Sequence, residues 1–189
     1  MSGAFECRDV MVDIETLGTR PGSIILSIGA VAFAPEHGLR GAFHQIVNTD
    51  SCRVHGLTED PATVKWWDDQ SPEAQRTKIE AECAPNRLPS TLAAFGEFCR
   101  EYAAPGVLRL WGNGSDFDNV LIAAAYEACH APPPWKFYNS RCYRTLKNLA
   151  PAIRLERTGT HHNALDDARS QAEHACRILS SLKSTAVTA

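Results

Sequence analysis

The chain lacks any apolar run long enough to cross a membrane, and its N-terminus lacks a basic stretch leading into an apolar one. Both absences predict a soluble, cytoplasmic protein. Paired cysteines are missing too: Cys7, Cys52, Cys83, Cys99, Cys129, Cys142 and Cys176 stand singly, with no C-x-x-C. An odd, unpatterned set argues against a disulfide frame or a structural zinc site and fits reduced thiols. Positive charge is not in excess, because 19 Lys and Arg against 22 Asp and Glu give a net charge of −3. At face value that argues against a polyanionic partner. No internal repeat, low-complexity tract or second domain is present. The 189 residues read as a single domain spanning 1–189, with its core between about 8 and 182.

What is present is a concentrated acidic signal. Val10-Met11-Val12-Asp13-Ile14-Glu15-Thr16 is an apolar run that ends in two carboxylates two residues apart. On a strand, i and i+2 share a face, so Asp13 and Glu15 point the same way. They repel each other unless a cation lies between them, and a hard divalent ion such as Mg²⁺ takes oxygen ligands of this kind. A strand end with two solvated acids is the plainer reading of D-x-E taken alone. Further ligands must come from elsewhere in the chain.

The periodicity predicts a strand over 8–14, a turn through Gly18, Arg20, Pro21 and Gly22, a second strand over 24–33 and a third over 42–47. Connections this short make an antiparallel meander, since a parallel return needs a dozen or more residues. Asp60-Pro61 predicts a helix start, with Trp66 and Trp67 on the helix that follows. The stretch 81–90 reads as a loop, and Ser90 as the cap of a helix ended by Pro105-Gly106. A strand over 107–111 runs through glycines into a helix from about Asp118. A strand is expected over 135–139, a helical turn over 143–149, and a long amphipathic helix from Leu165 to a frayed C-terminus.

Two later stretches supply acids. Asp116 and Asp118 open a helix, where an acid suits the helix dipole. Asp116 is the expected cap, which leaves Asp118 free to face a metal. In His161-His162-Asn163-Ala164-Leu165-Asp166-Asp167, a loop-to-helix junction could bring His162 and Asp167 to one cavity. Asp167 falls at the margin of the buried stripe, whereas His161 and Asp166 read as surface polar residues. Trp66 or Trp67 could stack on bases, although adjacent helical positions diverge and at least one should be core. Arg141, Arg144 and Lys147 could meet phosphates or form a solvated face, and His55 reads as structural.

Asp13-x-Glu15, Phe117-Asp118 and His162-x-Ala164-x-x-Asp167 together resemble the DEDDh superfamily of 3′→5′ exonucleases, which have an RNase H-like fold. Val54-His55-Gly56-Leu57-Thr58 is similar to a segment of proofreading exonucleases. The run from Asp60 through Trp66-Trp67 to Gln70, with Trp111-Gly112-Asn113-Gly114, resembles the branch that includes a mycobacterial exoribonuclease and phage exodeoxyribonucleases. Asn113 departs from that pattern, standing five positions before Asp118 where many relatives have four.

The resemblance implies an α/β fold: an RNase H-like mixed sheet, an antiparallel three-strand meander plus parallel strands, flanked by helices. It implies two Mg²⁺ or Mn²⁺ ions held by Asp13, Glu15, Asp118 and Asp167, with His162 as general base releasing nucleoside 5′-monophosphates from a 3′ end. Thr16 would contact the terminal sugar and Leu17 the terminal base, with Trp66, Asn113 and Arg144 as further substrate contacts. The partner would be single-stranded RNA or DNA, RNA somewhat ahead, and the protein a homodimer as many relatives are. Four metal-site carboxylates more than account for the net negative charge, so the charge leaves nucleic acid open. The sequence leaves two alternatives. One is a catalytically silent nucleic-acid-binding module of the same fold. The other is a Mg²⁺-dependent phosphatase, which would need a second Asp in place of Glu15 and a crossover helix after the first strand.

Overall fold

The computed structural model describes residues 7–103 and 106–187. Pro105, expected to end a helix, and the final residues 188–189, expected to fray, lie outside that range. The strands are β1 (Asp9–Thr16), β2 (Ile25–Ala34), β3 (Gly38–Ile46), β4 (Arg109–Gly112) and β5 (Ser140–Cys142). They form one sheet in the order β3-β2-β1-β4-β5. β1, β2 and β3 are an antiparallel meander, and β4 and β5 add parallel to β1. β2 follows β1 with no crossover helix, which removes the phosphatase arrangement.

The helices are α1 (Thr49–Val54), α2 (Pro61–Asp68), α3 (Pro72–Cys83), α4 (Leu88–Tyr102), α5 (Asp118–Ala128), α6 (Tyr143–Leu149) and α7 (Ala164–Val187). Strand alternation splits β1 between two cores. Val10, Val12 and Ile14 pack with Leu92, Phe95, Leu121 and Ile122 of α4 and α5. Met11 packs on the other face with Ala168, Ala172, Ala175 and Ile178 of α7. Asp13 and Glu15 follow Met11 by two and four, so they share the α7 face.

β2 lets α7 approach. Gly29 is paired with Asp13, and a Cβ built on Gly29 would stand 2.2 Å from the Ala164 carbonyl carbon and 2.3 Å from the Leu165 nitrogen. The start of α7 therefore lies directly on the sheet beside Asp13. Buried alanines at 164, 168, 172 and 175 keep the rest of the helix close.

Several expectations need correction. β3 begins at Gly38 rather than 42, because its pairing with β2 continues to the hairpin. The stretch 81–90 is mostly helical: α3 runs to Cys83 and α4 starts at Leu88, leaving only a short connection. Ser90 lies inside α4 and hydrogen-bonds back to the Arg87 carbonyl, so it caps nothing. Residues 137–139 form a 3₁₀ turn, and the strand follows it at Ser140–Cys142, where pairing with β4 is available. Asp116 makes no cap either. α5 starts at Asp118 without a side-chain cap bond, because the chain before it is turned to aim Asp118 at the sheet.

Gly29→Ala should displace the first turn of α7 and cost about 1–3 kcal/mol by overpacking against rigid backbone. Urea unfolding measures this, and an unchanged midpoint would contradict the packing described here.

Candidate active site

The acids converge where the C-terminal end of β1 meets the start of α7. Asp13, Glu15 and Asp167 each offer a carboxylate oxygen, all within 4.8 Å of one another. The site lies in a cavity of about 580 Å³, also lined by Thr16, Trp66, Trp67, Asn113, Asp118, Arg144, Arg157, His161, His162 and Gln171.

Three of the four acids are aimed by backbone or by a neighbouring side chain. Asp118, the first residue of α5, accepts from the backbone N–H of Asn113 at 2.7 Å and of Ile14 at 3.3 Å. Those bonds turn it toward β1 rather than toward its own helix end. Asp13 accepts from the Gln171 side-chain amide at 2.8 Å, one turn beyond Asp167 on α7. Asp167 accepts from the backbone N–H of His162 at 3.1 Å and pairs with Arg157.

Asp9 on the same face of β1 shows what an ordinary buried acid receives. It is paired with Arg109 at 2.5 Å and accepts from the Trp111 indole at 2.7 Å. Asp13 and Glu15 have no such ion pair among the described residues. Burial, then the charges of Asp118, Glu15 and Asp167, hold Asp13 well above the usual carboxylate range, partly offset by Gln171. Glu15 is pushed up to about 8 by burial and then by Asp167 and Asp118. Burial raises Asp118 to about 6 against its backbone hydrogen bonds. Oxygen donors that are costly to ionise together fit a hard divalent cation, whose charge reverses the penalty.

His162 is half-buried and sits at φ +63°, a left-handed conformation uncommon outside glycine. Its ring lies edge-on to Trp66 at 4.9 Å and 3.9 Å from the His161 ring, centroid to centroid. Burial first, and then His161, lower its pKa, with Asp167 opposing, so the imidazole is neutral near pH 7. His161 is exposed, as read from sequence, and it also lines the cavity and forms with His162 and Asp167 a second set of close ligand atoms.

The tryptophans divide as helical spacing requires. Trp67 is buried and donates to the Thr16 carbonyl at 2.8 Å, whereas Trp66 is 42% exposed at the cavity. Thr16 and Asn113 line the cavity, and Arg144 there donates to the Asn113 carbonyl at 2.7 Å. Leu17 is instead buried in the core and lines no part of the cavity. Arg141 turns to the carbonyls of Tyr138 and Ser140, and Lys147 lies over the Tyr143 ring. His55 binds the Ser51 carbonyl at the end of α1, away from the site.

Arg157 and Gln171 carry no motif, and sequence reasoning passed over both. Gln171 had one available signal, since it follows Asp167 by four and so faces the same way on α7.

The strand order and the acid cluster define an RNase H-like α/β domain with a carboxylate site suited to divalent metal. The chain belongs to the family described as the 3′-5′ exoribonuclease Rv2179c-like domain, whose model matches residues 8–179. It is also similar to an exodeoxyribonuclease of Enterobacteria phage T4, 23% identical over 123 residues, 60% of this chain and 53% of the phage protein. The chain thus aligns with about half the length of that relative. Among solved structures, E. coli Exonuclease I in complex with a dT13 oligonucleotide superposes with a TM-score of 0.62 at 13% identity. That match covers 90% of this chain and 40% of Exonuclease I. Exonuclease X in complex with 5′ overhanging duplex DNA gives 0.56 at 14% identity, covering 92% of both chains. At such identities these two establish the fold alone. No helix of the described residues is long and apolar enough to cross a membrane.

The raised carboxyls set a pH dependence. A group whose folded pKa lies above its unfolded value stabilises the fold below the unfolded pKa and loses that contribution as pH rises through the folded one. For Glu15 and Asp118 the loss runs from about pH 4 to about pH 8. A bound divalent ion cancels it, so the rise in Tm on adding Mn²⁺ should grow between pH 5 and 8. A rise independent of pH, read by thermal scanning, would contradict the cluster's electrostatics.

Proposed function

We propose that this chain is a metal-dependent 3′→5′ exonuclease acting on single-stranded nucleic acid, RNA ahead of DNA. The observation that carries the reading is the convergence of three carboxylates within 4.8 Å beside a half-buried His in an open cavity. The family's description as an exoribonuclease domain supports RNA, and the phage relative keeps DNA in view.

Asp13, Glu15, Asp118 and Asp167 would hold two Mg²⁺ or Mn²⁺ ions, which when bound stabilise the charge that builds on the phosphate and acidify the attacking water. The chain's own residues do the rest. Gln171 fixes one oxygen of Asp13, and the backbone N–H groups of Asn113 and Ile14 fix both oxygens of Asp118. Asp13 and Asp118 are therefore preorganised. His162, neutral near pH 7, takes the proton of the attacking water as general base. Its N–H bond to Asp167 ties its position to the acid cluster.

The half-exposed face of Trp66 offers a stacking surface for the terminal base, with Thr16 at the sugar. Arg144 and Asn113, on the β4 and α6 side of the cavity, suit the phosphates. Cleavage of the last phosphodiester with the phosphate kept on the departing nucleotide gives a nucleoside 5′-monophosphate. The modest charge of the chain suits a short single strand gripped mainly at its end.

Incubation of 5′-labelled RNA and DNA strands with Mn²⁺ should give a ladder that shortens one nucleotide at a time and stops in EDTA. Asp13→Ala should abolish the ladder. His162→Ala should slow it by about 10²–10⁴-fold while retaining Mn²⁺ binding. Strand binding without shortening by the unaltered chain would contradict the nuclease reading and favour a binding module.

A further inference from the structure

Asp167 is engaged by a cation that no motif announces. Its Oδ1 pairs with the Arg157 guanidinium while its Oδ2 receives the His162 N–H. Arg157 belongs to the loop between α6 and α7, and its side chain is 47% exposed where it enters the cavity.

The backbone around Arg157 is pinned along α7. Arg177 holds Glu156 at 2.8 Å and the Arg154 carbonyl at 3.0 Å. The Thr158 N–H donates to Ser170 at 3.1 Å, and the Thr160 N–H to Asp166 at 2.8 Å. The same loop is anchored at its start, where buried His174 bonds the Ile153 carbonyl. These anchors fix the backbone on both sides of Arg157, whose side chain extends from that base into the cavity.

We propose that Arg157 is the internal counter-ion of the unloaded acid site, and that on cation binding it leaves Asp167 for a phosphate of the bound strand. The inference rests on the metal and substrate reading above. A guanidinium and a divalent ion on the same carboxylate oxygen repel each other at short range. Arg157 is half-exposed, so water competes for its side of the pair, and a divalent ion shared among several carboxylates would compensate the largely buried Asp167 for the loss of that partner. A planar guanidinium fork recognises phosphate as well as carboxylate, so a strand bound in the cavity that Arg157 lines would offer the released group a partner of the right chemistry. Arg144, the other arginine lining this cavity, is already bonded to the Asn113 carbonyl and acts on Asp118 through its charge rather than through an ion pair. The two arginines therefore have separable roles.

The test uses the full chain and two binding measurements. Calorimetry with Mn²⁺ alone, without nucleic acid, should show Arg157→Ala binding the metal about two- to fivefold more tightly than the unaltered chain. Arg144→Ala should shift that affinity less. Fluorescence anisotropy with an oligouridylate of about ten nucleotides, protected by a 3′ phosphorothioate linkage, should show about tenfold weaker binding by Mn²⁺-loaded Arg157→Ala. Arg157→Gln, which keeps the length of the side chain, should move both affinities in the same directions and guards against a folding artefact.

Opposite signs in the two measurements support the exchange. Unchanged or weaker Mn²⁺ binding by both Arg157 variants overturns the counter-ion role, and unchanged strand affinity overturns the transfer to phosphate. Failure of the unaltered chain to bind Mn²⁺ overturns the metal site itself, a result distinct from either.

Discussion

Mutual repulsion among carboxylates held in a shared, poorly solvated space is the constraint on which this structure turns. Asp13, Glu15 and Asp167 meet within 4.8 Å, with Asp118 close enough to raise the pKa of the first two. A fold does not gather such groups without cost, since each buried charge loses hydration and each neighbour adds repulsion. The same face of β1 shows the ordinary remedy at Asp9, which is matched by Arg109 and Trp111. At Asp13 and Glu15 that remedy is withheld. Strain retained at one end of a strand and relieved at the other is how functional sites distinguish themselves from cores.

The remainder of the fold delivers and fixes those acids. Alternation along β1 sends Val10, Val12 and Ile14 into one core and leaves Asp13 and Glu15 on the face covered by α7. Gly29, opposite Asp13, has no side chain to hold α7 away, so Asp167 and Gln171 arrive at contact distance. β4 returns parallel to β1 and releases the chain at Gly112. From there Asn113 and Asp118 close back onto the end of β1 through backbone hydrogen bonds. Three chain segments far apart in sequence thus meet at the C-terminal end of the central strand, as ligand sites of open α/β sheets do beyond the carboxyl ends of strands.

Much of this was legible in the sequence because it depends on short-range periodicity. The i, i+2 spacing of Asp13 and Glu15 is a direct consequence of the pleat, and the meander follows from connection lengths too short for a crossover. The division of Trp66 from Trp67 follows in the same way from helical geometry. What escaped depends on tertiary contacts. Leu17 reads as a possible substrate contact until the chain around it is seen to bury it. Arg157 is an isolated cation in a loop, and only the anchoring of that loop along α7 brings it to Asp167. α3 was a different omission: Ser71-Pro72-Glu73 carries an N-cap, a first-turn proline and an acid, yet the polar character of the helix masked the signal.

On the function proposed above, the carboxylates at the end of β1, rather than the neighbouring histidines, hold the divalent cation. An anomalous difference map from a crystal soaked in Mn²⁺ tests it most directly. Density should appear among Asp13, Glu15, Asp118 and Asp167 and be lost in Asp13→Ala. Density centred on His161 and His162 instead, or none near Asp13, would contradict it.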